Sequence, residues 1–319
     1  MKTPRQKIIY HSIISKHSTL AMDLEIVRRH GYDGIEVSAL KARAFLAAGF
    51  TGQELRDRFG DIEVPGVGFL LDIERHGDDR ASLIQDAADI FDLAATIGAK
   101  AVQVITGPVD VQTVKDYARG GKSGGYQGVL GLAREQQIAI TAANLATLAD
   151  MAEEIGLILY LEALAWAPLN RIDDQLELIE RAGRDNIKLV VDYWHCFVSG
   201  DTPGTISQLD KSLIYGVHVC DSIPFYGGIP DERILRDLPI GSGAIDLVAW
   251  TNAVLSTGYE GWWSAELFCA KQHQENSFEV AGHLKSLLFS LVDEAPTDTS
   301  LARPALQGHD LVSGRQSDG

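Results

Sequence analysis

Four polar residues each stand at the end of a short apolar run, and all four have side chains that bind metal ions. The runs are 157–162, 187–192, 214–218 and 262–266, and their last residues are Glu162, Asp192, His218 and Glu266. Apolar runs of this length, bounded by Gly, Asn and loop residues, are typical of buried parallel strands. In a barrel of such strands the carboxyl ends meet at one rim, so the four side chains would lie together. Oxygen and nitrogen donors in such a group suit a hard or borderline divalent cation.

Any one of these residues could be an ordinary rim residue or a helix cap, but four at the same depth favour a shared ligand. Glu162, Asp192 and Glu266 would repel one another at close range, and their pKa values would rise unless a cation lay among them. The set contains no cysteine, which argues against a soft metal. We therefore predict a divalent metal site, with manganese as the first choice and magnesium, cobalt or zinc as alternatives.

The segments that must position these residues alternate between strand-like and helix-like patterns. Consecutive ligand candidates are 30, 26 and 48 positions apart, and one strand–helix unit of a barrel averages about 31 residues. The further strand candidates are 8–14, 34–37, 64–71 and 101–105, and the helix candidates are 20–30, 81–97, 141–155, 173–182, 206–209 and 245–256. Eight such units predict an α/β fold, a single (β/α)8 TIM barrel, with an insertion at 224–238. An open doubly wound sheet is less suitable, because no Gly-x-Gly-x-x-Gly turn follows the first strand.

Composition limits the classes of function. The chain has 319 residues, 45% of them hydrophobic, and its 28 Lys and Arg against 44 Asp and Glu give a formal net charge of −16. Such a charge argues against a nucleic-acid partner, and no run approaches the roughly 20 apolar residues that span a membrane. Three widely spaced cysteines indicate no disulfide framework, so we expect a cytoplasmic protein. We place the barrel domain at 1–292 and a disordered or partner-wrapping tail at 293–319.

The segment 108–127 contains the glycine-rich stretch Gly120-Gly-Lys-Ser-Gly-Gly125. It is not a Walker phosphate-binding loop, because Asp116 occupies the position of the first glycine and no strand directly precedes it. We interpret the segment as a mobile lid. The basic residues that it offers to an anionic substrate or a partner chain are Lys115, Arg119 and Lys122.

Five segments together resemble the xylose isomerase-like TIM barrels, which include sugar isomerases, 3-epimerases, inosose dehydratases and related lyases. They are Leu161-Glu162, Val191-Asp-Tyr-Trp-His195, Val217-His-Val-Cys-Asp221, Pro239-Ile-Gly-Ser-Gly-Ala-Ile-Asp246 and Gly261-Trp-Trp-Ser-Ala-Glu266. The resemblance extends over most of the chain and specifies the superfamily rather than a substrate. It implies that the metal ligands are Glu162, Asp192, His218 and Glu266. It also implies that His195 contacts the substrate, together with an arginine that Arg236 or Arg233 could match.

Two positions depart from the pattern of the sugar 3-epimerases. Pro168 replaces a second glutamate six residues after the first, and the Pro-Gly-x-Gly turn is shifted by one position to Pro239-Ile-Gly-Ser-Gly243. Both departures weaken an assignment as a free-hexulose epimerase. They leave open a lyase, a dehydratase or an isomerase of a larger or modified sugar. Barrels of this type commonly pair, so the resemblance implies a homo-oligomer. Members that cleave 3-oxo-glycosides also work with a small second subunit.

The predicted site could carry out proton transfer beside a carbonyl group. A cation could chelate the adjacent hydroxyl and carbonyl oxygens of a keto sugar and lower the cost of forming an enediolate. Glu162 or Glu266 could remove the proton, so both are catalytic candidates, as is His195. Returning the proton gives isomerisation or epimerisation, whereas expelling a β substituent gives elimination. The predicted substrate-binding residues are His195, Arg236, Trp166 and Glu36, with His17 and Trp194 as weaker candidates.

We predict a divalent-metal-dependent isomerase or epimerase that acts on a small keto sugar. The alternative is a dehydratase or β-eliminating lyase on a 3-keto sugar or 3-oxo-glycoside, including C-glycoside cleavage with a small partner subunit. A phosphodiesterase similar to endonuclease IV would need a histidine-rich three-zinc site, for which this region offers only His195 and His218. A catalytically inactive sugar-binding protein would be expected to lack a carboxylate, and none is missing.

Overall fold

The strands of the protein form one parallel sheet that curves into a barrel. The computed structural model describes residues 5–121 and 124–293. Its strands are β1 (Lys7–Ile8), β2 (Tyr10–His11), β3 (Ile35–Ser38), β4 (Gly66–Leu70), β5 (Ala101–Ile105), β6 (Ile158–Glu162), β7 (Ile187–Asp192), β8 (Ile214–Val219) and β9 (Trp262–Ala265). Its helices are α1 (Leu20–His30), α2 (Ala39–Ala47), α3 (Gly52–Phe59), α4 (Arg80–Ile97), α5 (Val111–Ala118), α6 (Arg134–Glu153), α7 (Ile172–Ala182), α8 (Tyr193–Ser199), α9 (Pro203–Ile206), α10 (Glu232–Leu235), α11 (Leu247–Ser256) and α12 (Ser277–Asp293).

The barrel closes through its first strand, which is divided into two short segments. β1 pairs with β9 and β2 pairs with β3, and both pairings are parallel. Ile9 joins the two segments, and its N–H donates to the Trp263 carbonyl at 2.9 Å. The nine segments therefore occupy eight strand positions, and the predicted (β/α)8 barrel is confirmed.

Two predicted boundaries are wrong for local reasons. The first strand ends at His11 rather than at residue 14, because the His11 ring nitrogen Nδ1 accepts the Ile13 N–H at 3.1 Å and begins a 3-10 helix, Ser12–Ser15. The helix predicted at 141–155 begins seven residues earlier, at Arg134. Its start carries no Ser, Thr, Asp or Asn cap, since Ala133 occupies that position. The predicted tail begins at the last residue of α12 and otherwise lies outside the described residues.

The amino end of the barrel is filled by apolar and aromatic side chains. A separate buried cluster contains Ile9, Ala101, Tyr160, Val190 and Trp262. Two glycines, one on β4 and one on β8, make room for the largest of these rings: a Cβ on Gly66 would overlap the Tyr160 phenol, and one on Gly216 would overlap the Trp262 indole. This packing closes one end of the barrel, so polar chemistry is confined to the carboxyl end.

Two of the loops at the carboxyl rim are joined by an ion pair. Lys115 on α5 contacts Asp231, at the start of α10 in the predicted insertion, with 2.7 Å between Nζ and Oδ2. Cys196, Cys220 and Cys269 are buried and unbridged. None of the described helices is long and apolar enough to cross a membrane.

Candidate metal centre at the barrel rim

The four predicted metal ligands come from consecutive strands at the carboxyl end of the barrel. Glu162 ends β6, Asp192 ends β7, His218 lies one residue before the end of β8, and Glu266 directly follows β9. All four side chains are buried. Ligand atoms of Glu162, Asp192 and His218 lie within 4.8 Å of one another, and Glu266 forms a neighbouring group of the same size with Asp192 and Cys220. The strands therefore bring all four residues to one region, in two groups that share Asp192.

Glu36 fixes the orientation of the His218 ring. Its Oε2 lies 2.9 Å from Nε2 of His218, and its Oε1 accepts the Tyr160 hydroxyl at 2.6 Å. We infer that Nε2 carries the proton, because it faces this carboxylate. Nδ1 of His218 then points toward Glu162 Oε2 at 3.3 Å and Asp192 Oδ2 at 3.9 Å. A carboxylate behind a histidine that faces other ligands is the arrangement that orients histidine in metal sites.

Asp192 positions His195 through the start of α8. Its Oδ1 accepts the His195 N–H at 2.7 Å, which caps the helix. The His195 ring nitrogen Nδ1 accepts the Ala165 N–H at 3.0 Å, so Nε2 carries the proton, and it lies 3.4 Å from Glu162 Oε1. Burial lowers the pKa of His195 to about 3, so the ring is neutral. It can therefore present a single N–H donor at the carboxylate cluster.

Arg236 holds the fourth carboxylate. Its Nη2 contacts Glu266 Oε2 at 2.5 Å and lies 3.7 Å from Asp192 Oδ2. The guanidinium carbon lies 4.1 Å from the Phe268 ring centre and 5.2 Å from that of Trp194. Arg236 is thus buried between two aromatic rings, with its charge directed at the site carboxylates.

The carboxylates differ in how readily they hold a proton. Burial raises the pKa of Glu162, and burial together with repulsion from Glu266 and Glu162 raises that of Asp192 to about 8. Burial would also raise the pKa of Glu266, but the charges of Arg236, His218 and His11 together outweigh burial and lower that pKa. The site therefore contains two carboxyl groups that are poorly compensated by protein charges and one that is well compensated.

These features fit a divalent cation. Nδ1 of His218 is buried and makes no hydrogen bond with the described residues, although it faces two carboxylates. A cation beside Nδ1 would satisfy this nitrogen and neutralise Glu162 and Asp192. Cys220 also approaches Asp192, at 3.3 Å, but burial raises the pKa of its thiol well above the ordinary value. The thiol donates to the carboxylate instead of competing as a thiolate ligand.

Comparison with known proteins agrees with this geometry. A family model described as xylose isomerase-like TIM barrel matches residues 24–287. The chain belongs to this family. An inosose isomerase of Bacillus velezensis is 26% identical over 285 residues, which are 88% of this chain and 94% of that protein. A 3-dehydroshikimate dehydratase of Pseudomonas aeruginosa is 31% identical over 132 residues, 41% of this chain and 21% of that protein.

A solved structure of an IolI protein with a bound zinc atom shares the fold. It superimposes with a TM-score of 0.79 at 22% identity, and the match covers 92% of this chain and 100% of that one. The zinc atom belongs to that protein, and the match shows that the two chains share a fold. The curated relatives carry the names of enzymes, and the expectation that the chain is an enzyme is confirmed.

The barrel brings further residues to the site that the sequence did not reveal. His11 ends β2, and its Nε2 lies 3.6 Å from Glu36 Oε2 and 3.8 Å from Glu266 Oε1. Gln103, which points inward from β5, donates to Glu162 Oε2 at 3.0 Å. His11 shows the same signal as the four ligands, a polar residue after an apolar run. Sequence analysis missed His11 because the predicted first strand continued to residue 14, which placed His11 inside the strand rather than at its end.

The remaining predicted residues have different surroundings. Trp166 is buried, donates from Nε1 to the Pro108 carbonyl at 3.0 Å and packs beside His195, with ring centres 5.9 Å apart. Glu36 contacts His218 and Tyr160, which favours an orienting role. Substrate binding by Trp166, Glu36, His195 and Arg236 stays a prediction. The predicted lid contains α5, and its Lys122 lies outside the described residues.

Proposed function

We propose that the protein is a divalent-metal-dependent isomerase or epimerase of a keto sugar. The observation that carries the proposal is the buried group of Glu162, Asp192 and His218 at the barrel rim, in which Nδ1 of His218 faces both carboxylates without a hydrogen-bond partner among the described residues. Glu266 would complete the ligand set. Three oxygen donors and one nitrogen donor suit manganese, our first choice, and also accommodate zinc, magnesium or cobalt. The inosose isomerase relative, which matches over nearly its whole length, supports the isomerase branch.

The proton-transfer step requires a base beside the carbonyl carbon of the sugar. A bound cation would supply Lewis-acid stabilisation for the enediolate that forms when this proton leaves. Glu162 is the better base of the two candidates, because Glu266 is held in an ion pair with Arg236 at 2.5 Å, which lowers the pKa of Glu266. The neutral His195 would donate from Nε2 to a substrate hydroxyl. Returning the proton from Glu162 to the same or the neighbouring carbon completes an epimerisation or an isomerisation.

Solvent deuterium exchange tests this proposal. Metal-loaded protein is incubated in deuterated water with an inosose and with keto hexoses, and deuterium beside the carbonyl is measured by NMR. We expect exchange with the wild type, loss of exchange with Glu162→Gln, and unchanged exchange with Glu154→Gln, an exposed control. Exchange at the wild-type rate in Glu162→Gln would exclude Glu162 as the base. No exchange with any keto sugar would exclude the proposed function.

A second candidate function, β elimination, is favoured by one residue of the insertion. Glu232 begins α10, and its carboxylate lies 3.9 Å from Nη1 of Arg236, with 28% of the side chain exposed. Burial and the nearby Glu266 and Glu162 charges raise the pKa of Glu232 to about 7, although Arg236 opposes the shift. A carboxyl group that is half protonated near neutral pH can donate a proton to a leaving group.

The elimination branch would make the protein a dehydratase or a lyase of a 3-keto sugar or 3-oxo-glycoside. The 3-dehydroshikimate dehydratase relatives are consistent with this branch. In the same deuterium experiment, elimination would release a leaving group from the substrate, whereas isomerisation would not. If elimination occurs, Glu232→Gln should slow release of the leaving group more than it slows deuterium exchange. A homo-oligomer and a small second subunit stay predictions.

A further inference from the structure

A cavity with basic walls lies beside the metal centre. It has a volume of about 250 Å³ and is lined by side chains from three rim segments. Its main lining residues are Lys16, His17, Arg233, Asp237, Phe268 and His273. Liquid water occupies about 30 Å³ per molecule, so a carboxylate or a phosphate fits together with several waters.

The three segments that build this cavity also carry residues of the candidate site. Lys16 and His17 follow His11 after a single 3-10 helix, and Glu266 lies two positions before Phe268. Arg236 stands in the insertion between Arg233 and Asp237 of the cavity. The contact is direct, because the Phe268 ring centre lies 4.1 Å from the Arg236 guanidinium carbon. The cavity and the candidate metal centre thus share a wall, which Phe268 and Arg236 form.

The charges on the cavity wall are incompletely compensated. Lys16 is exposed and has no ion-pair partner among the residues that the structure describes. Arg233 lies 3.3 Å from Asp231, but that carboxylate already pairs with Lys115 at 2.7 Å. The Asp237 carboxylate accepts the Ala270 N–H at 2.7 Å. On a chain with a net charge of −16, the lining of this cavity therefore carries two basic side chains, Lys16 and Arg233, against one carboxylate, Asp237.

Two histidines of the cavity, His17 and His273, lie in the same wall as Lys16. His273 accepts little charge, because burial and the neighbouring Lys16 lower its pKa. Its Nε2 lies 3.1 Å from the Leu267 carbonyl, which fixes the ring. The His17 ring packs edge-on against it, with ring centres 6.0 Å apart. The two imidazoles therefore form a rigid polar wall beside the lysine.

We propose that this cavity binds an oxyanion of the substrate, a carboxylate or a phosphate, while the keto group of the same molecule occupies the metal centre. The proposal rests on the proposed function, because it assumes that the substrate reacts at the metal. An ammonium group attracts an oxyanion as a point charge, and a guanidinium adds directed hydrogen bonds. The cavity would then select acidic keto sugars or keto acids over neutral sugars of the same size.

Phosphate binding tests the cavity independently of catalysis. Inorganic phosphate is titrated into the metal-loaded protein at low salt, and heat is measured for the wild type, Lys16→Gln, Lys16→Glu and the control Lys211→Gln. Lys211 lines a cavity of about 280 Å³ that is formed by other segments of the chain. We expect roughly fivefold weaker phosphate binding in Lys16→Gln, a larger loss in Lys16→Glu and no change in the control. Equal affinity in all four proteins would overturn the proposal, since phosphate held only by the metal does not respond to Lys16.

Substrate kinetics then separate carboxylates from phosphates. Exchange rates are compared for an uncharged inosose, for 3-dehydroshikimate, which bears a carboxylate, and for a keto-sugar phosphate. The proposal requires that Lys16→Gln raise KM about fivefold for at least one acidic substrate. The KM for the inosose should stay unchanged. The acidic substrate that is affected shows whether the cavity binds a carboxylate or a phosphate. Equal effects on acidic and neutral substrates would overturn it. If no substrate exchanges deuterium, the proposed function fails, and the phosphate titration still decides whether the cavity binds anions.

Discussion

The two ends of the barrel are built by the same strands but have opposite chemistry. On β6, Tyr160 and Glu162 are two positions apart and point to the same interior, one toward the amino end and one toward the carboxyl rim. The Tyr160 ring lies 5.2 Å from that of Tyr215 and 6.2 Å from that of Trp262, centre to centre. Around Glu162, by contrast, the neighbours are carboxylates, histidines and an arginine.

This difference separates stability from function along a single set of strands. Burying aromatic rings at the amino end stabilises the fold. Burying carboxylates at the other end costs free energy, as the raised pKa values of Glu162 and Asp192 show. A cation-binding site needs these carboxylates, so the metal-free protein is destabilised by burying them. Substitutions at the two ends should therefore affect different measurements.

The largest expected effect comes from Glu162→Gln. The amide keeps the shape of the side chain and an acceptor for Gln103, but it cannot take a proton, so turnover should fall by about 10²–10⁴-fold. Thermal unfolding of the metal-free variant should occur at the wild-type temperature or above, because an unfavourable buried charge is removed. Activity is measured as deuterium exchange. A variant that unfolds much earlier than the wild type would contradict the separation of the two ends.

The converse change is Trp262→Ala at the amino end. Removing a large buried ring should lower the free energy of unfolding by about 3–5 kcal/mol. The Trp262 ring centre lies 5.8 Å from that of His218, but Glu36 holds the imidazole by a hydrogen bond. Metal affinity, measured by calorimetry, should therefore fall less than tenfold. Loss of metal binding in a protein that remains folded would show that the two ends are not separable.

Sequence alone predicted that the candidate ligands meet at one rim, because their signal is local. Glu162, Asp192 and His218 each end an apolar run, and the spacing of barrel units places such ends at one level. The pairing of Glu36 with His218 joins residues 182 positions apart, and no local pattern specifies it. The place of Arg236 was equally hidden, because its burial between Phe268 and Trp194 depends on how the insertion folds back.

Sequence also missed several helices for local reasons. The residues of α8 follow Asp192 without a break, and a helix of 7 residues is too short to show a clear helical period. The start of α6 is marked by no capping residue, since Ala133 occupies the N-cap. Both failures lie in the connections between strands. Among the eight predicted strands, 101–105 and 187–192 coincide with the structure at both ends, and three others match it at one end.

Glu74 tests whether the cost of burying charge extends beyond the metal centre. Its Oε2 accepts the Gly107 N–H at 2.8 Å, whereas Oε1 makes no hydrogen bond with the described residues. Burial raises its pKa from 4.5 to about 7. The contribution of Glu74 to the unfolding free energy is therefore fully present below pH 4.5 and is lost as the pH rises through 7. Glu74→Gln lacks this dependence, so its advantage in unfolding free energy should grow by about 3 kcal/mol between pH 4.5 and 8.

Chemical denaturation at several pH values measures the advantage of Glu74→Gln. Groups such as Asp192 titrate in both proteins and cancel in the difference. An exposed control, Glu25→Gln on α1, should give a difference that does not change with pH. A constant difference for Glu74→Gln as well would mean that burial does not perturb this carboxyl group.

The smallest expected effect is that of Tyr160→Phe, which removes a hydrogen bond that links the two ends. The ring belongs to the aromatic cluster and would stay in place, so the unfolding free energy should fall by only about 1 kcal/mol. The lost hydroxyl, however, is the donor to Glu36 Oε1 at 2.6 Å, and Glu36 orients His218 through its other oxygen. Because partners behind a metal ligand tune its affinity, metal binding should weaken about tenfold at most. Phenylalanine differs from tyrosine only by lacking the hydroxyl, so the variant creates no clash that could obscure the result. Unchanged metal affinity would mean that Glu36 holds His218 without help from the amino end, and the two ends would then be fully independent.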